Sequence, residues 1–241
     1  VNHAFTVAGK ELRSSLNSPL AWVFIGTFTI AAWGIFFFVE KFFARDEATM
    51  RGLFAWMPWL LWGVGPALTM SLWASERRLG TWEILATSPV STSSLVLGKF
   101  LAAVALLGLA LLFTLPMAST ADAFGSLDWG AAFGGWIGSL LLGAVFIALG
   151  LLCSALVQDE LVALVLGWSL GALLLLPGLG FWESLVGTGA ASALRQFGFG
   201  ARFETAARGL IELRDVVLWI TTAAAFLTAN GAVVASRRHS R

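Results

Sequence analysis

Two stretches of this sequence carry residue types and spacings that could do chemistry. The first is residues 75–94, which read Ser-Glu-Arg-Arg-Leu-Gly-Thr-Trp-Glu-Ile-Leu-Ala-Thr-Ser-Pro-Val-Ser-Thr-Ser-Ser. Thr81 can cap a short helix that holds Glu83 in its first turn, where a carboxylate suits the helix dipole. Pro89 would stop it. Leu79, Trp82, Leu85 and Ala86 would form a small apolar face. Such a helix is either an ordinary turn at a membrane surface or a docking knob for a partner protein. The second stretch lies at 202–215. Phe203, Ala207, Leu210 and Ile211 fall on one helical face and predict a surface helix over 202–213. Arg208 and Arg214 would then reach lipid headgroups or pair with Glu204, Glu212 or Asp215. In both stretches the chemistry is recognition and charge pairing.

The residues that would make or break bonds are missing. His3 and His239 are the only histidines, and both lie outside the apolar runs. A histidine zinc site, a haem-binding helix pair and a Ser–His nucleophile therefore lack their residues. One cysteine, Cys153, excludes an intrachain disulfide framework and a cysteine-based metal cluster. Gly98-Lys99 has Ser93 where a phosphate-binding loop would need glycine, so this chain has no P-loop for ATP. No acidic or basic residue sits in the middle of an apolar run, where a charge would cost about 2.5–3.5 kcal/mol and mark an ion path. No cofactor is expected in this chain.

The elements that position these stretches are membrane spans. Of the 241 residues, 58% are hydrophobic and only 12% charged, against about 25% charged in an average soluble domain. Mean hydropathy is +0.84. Fifteen basic and 14 acidic residues cannot coat a soluble body of this size, and a net charge of +1 gives no nucleic-acid footprint. A spanning helix needs about 20 apolar residues. Six runs qualify, at about 19–39, 53–74, 95–117, 130–157, 161–181 and 216–235. Nothing alternates with period two, so these are helices rather than barrel strands. The reading is an all-α polytopic membrane protein forming one transmembrane domain.

Residues 2–18 place Phe5, Ala8, Leu12 and Leu16 on one face, as in an interfacial helix, though a solvated leader fits the same pattern. The first run is too long for the apolar core of a cleavable signal. Six spans put both ends on one side. The basic residues divide almost evenly between the two sides, but the cluster Arg237, Arg238 and Arg241 favours cytoplasmic termini. Residues 182–215 would then be an extracytoplasmic helical segment. Gly63-Val64-Gly65-Pro66 would bend the second span, and small residues four apart, such as Gly134 and Gly138, allow close helix packing. A membrane body with a docking-type loop and no engine of its own points to a subunit driven by a partner.

The loop pattern Glu76-x-x-x-Gly80-Thr81-x-Glu83-x-Leu85-x-Thr87-x-Pro89-Val90-Ser91, followed by Leu97-Gly98-Lys99-Phe100, resembles the signature of ABC-2 type permeases. In that family it also lies between the second and third spans. Phe203-Glu204-x-x-x-Arg208-Gly209-x-Ile211-x-x-Arg214-Asp215-Val216-Val217 resembles the gliding-motility-associated permease subgroup. Ser154-Ala155-Leu156-Val157-Gln158 is similar to that group's connection between fourth and fifth spans, although Asp159-Glu160 departs from it and is assigned no role. The resemblance implies a type V exporter-like fold in the cytoplasmic (inner) membrane. It implies a second permease subunit, identical or different, and a separate ATP-binding cassette subunit that carries ATP and Mg. An extracytoplasmic auxiliary protein is a further implied partner. Contact with the ATPase is carried over to Glu76, Gly80, Thr81, Glu83, Leu85, Thr87 and Pro89, with Trp82 as an apolar anchor. Phe203, Glu204, Arg208, Gly209, Arg214 and Asp215 carry the extracytoplasmic motif. The resemblance leaves the substrate open. Two alternatives stand beside a transport permease: a mechanotransmitting membrane subunit acting on extracytoplasmic proteins, and a partner-free carrier or scaffold.

Overall fold

Helix follows helix because apolar segments in a bilayer must satisfy their backbone internally. The computed structural model describes residues 2–44, 47–80, 90–180 and 182–239, and among these no residue is in a strand. Helix α1 (Asn2–Leu16) leads, and Ser18 caps α2 (Pro19–Gly34) with Pro19 at its first position. A π-helical turn at Ile35–Val39 extends α2. The second span is α3 (Arg51–Thr69) followed by α4 (Ser71–Arg78). The third is α5 (Thr92–Leu112) with α6 (Leu115–Phe124), capped at its start by Ser91. The fourth is α7 (Trp129–Leu156), capped by Asp128, and the fifth is α8 (Glu160–Leu175), capped by Asp159. Then come α9 (Trp182–Arg195), broken at Gly187, α10 (Phe199–Ala207) and α11 (Leu213–His239). Six helices among the described residues are long and apolar enough to cross a membrane. The chain is therefore an all-α polytopic membrane protein.

Helix α7 is the axis of the body. It packs against α3, α5, α8, α10 and α11, and most of its residues are buried. By contrast α2, α8 and α11 leave most of their apolar surface uncovered, as helices facing lipid or another membrane chain do. Trp62 on α3 donates its indole N–H to the Trp168 carbonyl on α8 at 2.8 Å, and Trp168 returns one to the Gly63 carbonyl at 3.0 Å. These paired bonds lock α3 to α8 beside Pro66. The second span does not end at Pro66. It runs on to Thr69 in helical form, with the proline inside it.

The segment before the last span departs from expectation. Its helix is α10, Phe199–Ala207, not 202–213. Phe203 and Ala207 are buried as expected, but Leu210 and Ile211 are exposed beyond the helix end. Gly209 is the reason. It adopts φ +83°, and a Cβ there would lie 2.6 Å from the Ala131 backbone of α7. A left-handed glycine pressed against a neighbour ends the helix where the apolar spacing alone would continue it.

Candidate functional site

Residues 79–91 join α4 to α5, and the two stems of this connection define the site. Thr81, Trp82, Glu83, Leu85, Thr87 and Pro89 lie outside the described residues. Glu76 and Gly80 are on the first stem. Gly80 has φ +73° with open space around it, which a glycine takes without strain as the chain leaves α4.

Lys99 is the hub below the loop. It lies about two turns into α5 and is 1% exposed. Its Nζ donates to Glu76 Oε1 on α4 at 2.6 Å and to Glu11 Oε1 on α1 at 3.1 Å. The ammonium also sits 5.0 Å from the centroid of the Trp73 ring, within range of a cation–π contact. Two carboxylates and an aromatic face thus surround one buried cation, and three helices meet on it. Gly98 makes this possible. A Cβ at Gly98 would lie 2.5 Å from Val7 Cγ1 and 3.1 Å from the Ala4 carbonyl oxygen of α1. Only glycine lets α1 come close enough for Glu11 to reach Lys99.

The neighbouring arginines fasten the same end to the rest of the body. Arg77 donates to the carbonyls of Ala155 and Val157, at 3.2 and 2.9 Å. These are groups left over at the C-terminus of α7, where a cation is favoured. Arg78 pairs with Glu160, at the start of α8, at 2.7 Å. Arg237 donates to the Leu156 carbonyl at 3.0 Å, and Arg238 to the Val90 carbonyl on the second stem at 3.0 Å. The start of α1, packed on Gly98, and the end of α11 therefore lie at the loop's end of the molecule.

A serine from α7 opens the second span just before the stem. Ser154 Oγ donates to the Met70 carbonyl at 2.7 Å and accepts from the Trp73 and Ala74 N–H groups, both at 3.1 Å. That uses the full capacity of a hydroxyl, one donor and two acceptor lone pairs. Met70 keeps helical dihedrals. The helix ladder is thus parted by an inserted hydroxyl, a recognised origin of helix joints.

At the opposite end, the six residues of the second motif do not form one cluster. Phe203 is buried. Asp215 is buried and pairs with Arg202, at 2.5 Å, and not with Arg208 or Arg214. Arg202 also donates to the Gln196 carbonyl, and Thr205 donates to Asp215. Glu204, Arg208 and Arg214 face outward.

Of the residues carried over from the loop pattern, Glu76 and Gly80 are on the first stem, and the contacts around them add Glu11, Lys99, Ser154 and Glu160, for none of which the pattern gives a role. Lys99 lies within the quoted pattern Leu97-Gly98-Lys99-Phe100, whereas Glu11 is 88 positions away along the chain. Among the described residues no cluster of metal-ligating side chains occurs. A family model described as ABC-2 family transporter protein matches residues 39–197, more than half of the chain. The matched range includes both stems of the loop and ends before the 203–217 motif. No curated protein matches the chain.

Proposed function

The chain belongs to the ABC-2 transporter family, and from that premise we propose that it is the membrane-spanning permease subunit of an ABC transporter, driven by a separate ATP-binding subunit docked on the 75–94 loop. The observation that carries the reading is the Lys99 hub. A loop that only connected two spans would need no buried cation joining α1, α4 and α5 beneath it. Under a load-transmitting loop, such a knot makes physical sense. Motion imposed on the loop would pass through Glu76 and Lys99 to α1 and α5, through Arg77 to α7, and through Arg78 to α8. The Ser154-filled break at Met70 would let α4 swing while α3 stays locked to α8.

In this reading ATP and Mg are held by the partner, which supplies the hydrolysis, and this chain supplies the path and the coupling. Both termini are cytoplasmic in the inner membrane. A second permease subunit covers part of the surface that α2, α8 and α11 leave open. The 203–217 motif supports the gliding-motility-associated subgroup and a type V exporter-like arrangement. A second reading, transmission of ATP-driven motion to an extracytoplasmic partner, is favoured by the exposed apolar residues Leu185, Phe197, Leu210 and Leu213 at the far end.

The test is ATP turnover in proteoliposomes holding the chain with its ATP-binding subunit. Trp82→Ala and Glu83→Ala should lower docking and coupled turnover while membrane insertion is unchanged. Full docking and turnover in both variants would make the loop an ordinary connection.

A further inference from the structure

A cavity of about 270 Å³ lies at the end of the body away from the termini, between the start of α3, the end of α8 and helix α10. Its floor is apolar: Phe54, Pro58 and Phe203 are all buried there. Its rim is charged. Arg51, Glu204 and Arg208 line it, and all three are exposed. None of the three forms an ion pair among the described residues, in contrast to Arg202 on α10, which pairs with Asp215. The cavity is thus an apolar slot, slightly below the roughly 300–1,000 Å³ usual for small-molecule sites, with two uncommitted guanidinium groups and one carboxylate at its mouth. It sits at the ends of two helices long and apolar enough to span, the start of α3 and the end of α8, and the end of a spanning helix is where its surroundings change from acyl chains to headgroups.

From this geometry we infer that the cavity binds one anionic phospholipid, its phosphate on Arg51 and Arg208 and the first part of one acyl chain against Phe54, Pro58 and Phe203. The rim carries a net single positive charge, which favours an anionic head over a zwitterionic one. Guanidinium groups match phosphate oxygens in planar, charge-assisted bonds. The limited volume admits a segment of one chain, with the remainder lying along the outside of α3. Glu204 on α10 is four residues before Arg208, the residue that caps the end of that helix, a spacing that still brings the two within reach of pairing when no phosphate is bound. The carboxylate would then be the group that the phosphate displaces. This site is separate from the loop end and does not depend on what the loop docks.

Native mass spectrometry of the full chain, released from nanodiscs containing phosphatidylglycerol and phosphatidylcholine with the same acyl chains, tests the inference. One tightly retained phosphatidylglycerol is expected, preferred over phosphatidylcholine by about tenfold, as two partly exposed charge-assisted contacts would give. Arg51→Ala with Arg208→Ala should abolish the preference, and lysine at both positions should keep most of it. Ala55→Trp, or Ala201→Trp if the first does not fold, should fill the slot and remove retention of both lipids. Equal retention of the two lipids by the unaltered chain would overturn the inference. So would an unchanged preference in the double alanine variant, or unchanged retention in a folded tryptophan variant.

Discussion

Replacing Lys99 by methionine keeps the length of the side chain and removes its charge. Two carboxylates are then left facing one another across the junction of α1, α4 and α5. Lys99 is 1% exposed, while the Glu76 and Glu11 side chains retain 20% and 24%. Breaking a fully buried pair by deleting one partner costs about 3–5 kcal/mol. Here the carboxylates can recover part of their hydration, which places the loss near the lower bound, about 3 kcal/mol. That is more than a hundredfold in the folded-to-unfolded ratio, since about 1.4 kcal/mol is tenfold. Reversible unfolding in mixed micelles of increasing denaturing detergent reads it directly. Adding Glu11→Gln and Glu76→Gln to Lys99→Met should return much of the stability, because neutral groups no longer repel. Within a double-mutant cycle, Lys99 should couple more strongly to Glu76, at 2.6 Å, than to Glu11, at 3.1 Å. A loss below about 1 kcal/mol for Lys99→Met, the range of surface pairs, would refute the hub.

Further outcomes follow from the same contacts. Asp215→Asn should loosen α10 from α11 and cost about 3 kcal/mol in the same assay, since it leaves Arg202 without its buried counter-charge. Ser154→Ala should cost only about 1 kcal/mol, because the Met70 carbonyl and the Ala74 N–H can bond each other again. It should nevertheless lower coupled ATP turnover by straightening the second span, and unchanged turnover would remove the joint from the account. Gly98→Leu should push α1 off α5 and raise protease cleavage within residues 2–18, which limited proteolysis reports. Single cysteines at 46, 77, 204 and 238 in a Cys153→Ala background should label at 46 and 204 only, when intact cells meet an impermeant thiol reagent. The reverse pattern would invert the orientation.

The spans were legible because their signal is local. Each apolar run is closed by charges or turn residues, and caps such as Ser91 and Asp128 stand where the helices begin. The 202–213 segment shows the limit of that reading. Apolar spacing continued through Leu210 and Ile211, but the helix stops where Gly209 meets the Ala131 backbone, a contact made across the fold. The site behaves likewise. Glu76 and Lys99 both stand in the quoted loop pattern. Their union with Glu11 depends on α1 settling onto α5 through Gly98, and nothing within either segment announces it. Glu160 was set aside as a departure from a family pattern, yet it pairs with Arg78 and ties the stem to α8. Asp215 had two arginines of its own motif in reach along the sequence and bonds a third, Arg202, presented by α10.

In the proposed function a separate ATP-binding subunit works this chain through the 75–94 loop. Affinity purification of the chain from its native membrane in mild detergent, followed by identification of bound chains and measurement of ATP hydrolysis, tests it most directly. A subunit with a phosphate-binding loop should co-purify with ATPase activity, and Trp82→Ala should lose both. A chain that purifies without any such subunit, or a Trp82→Ala variant that retains it at full activity, would rule out that role for the loop.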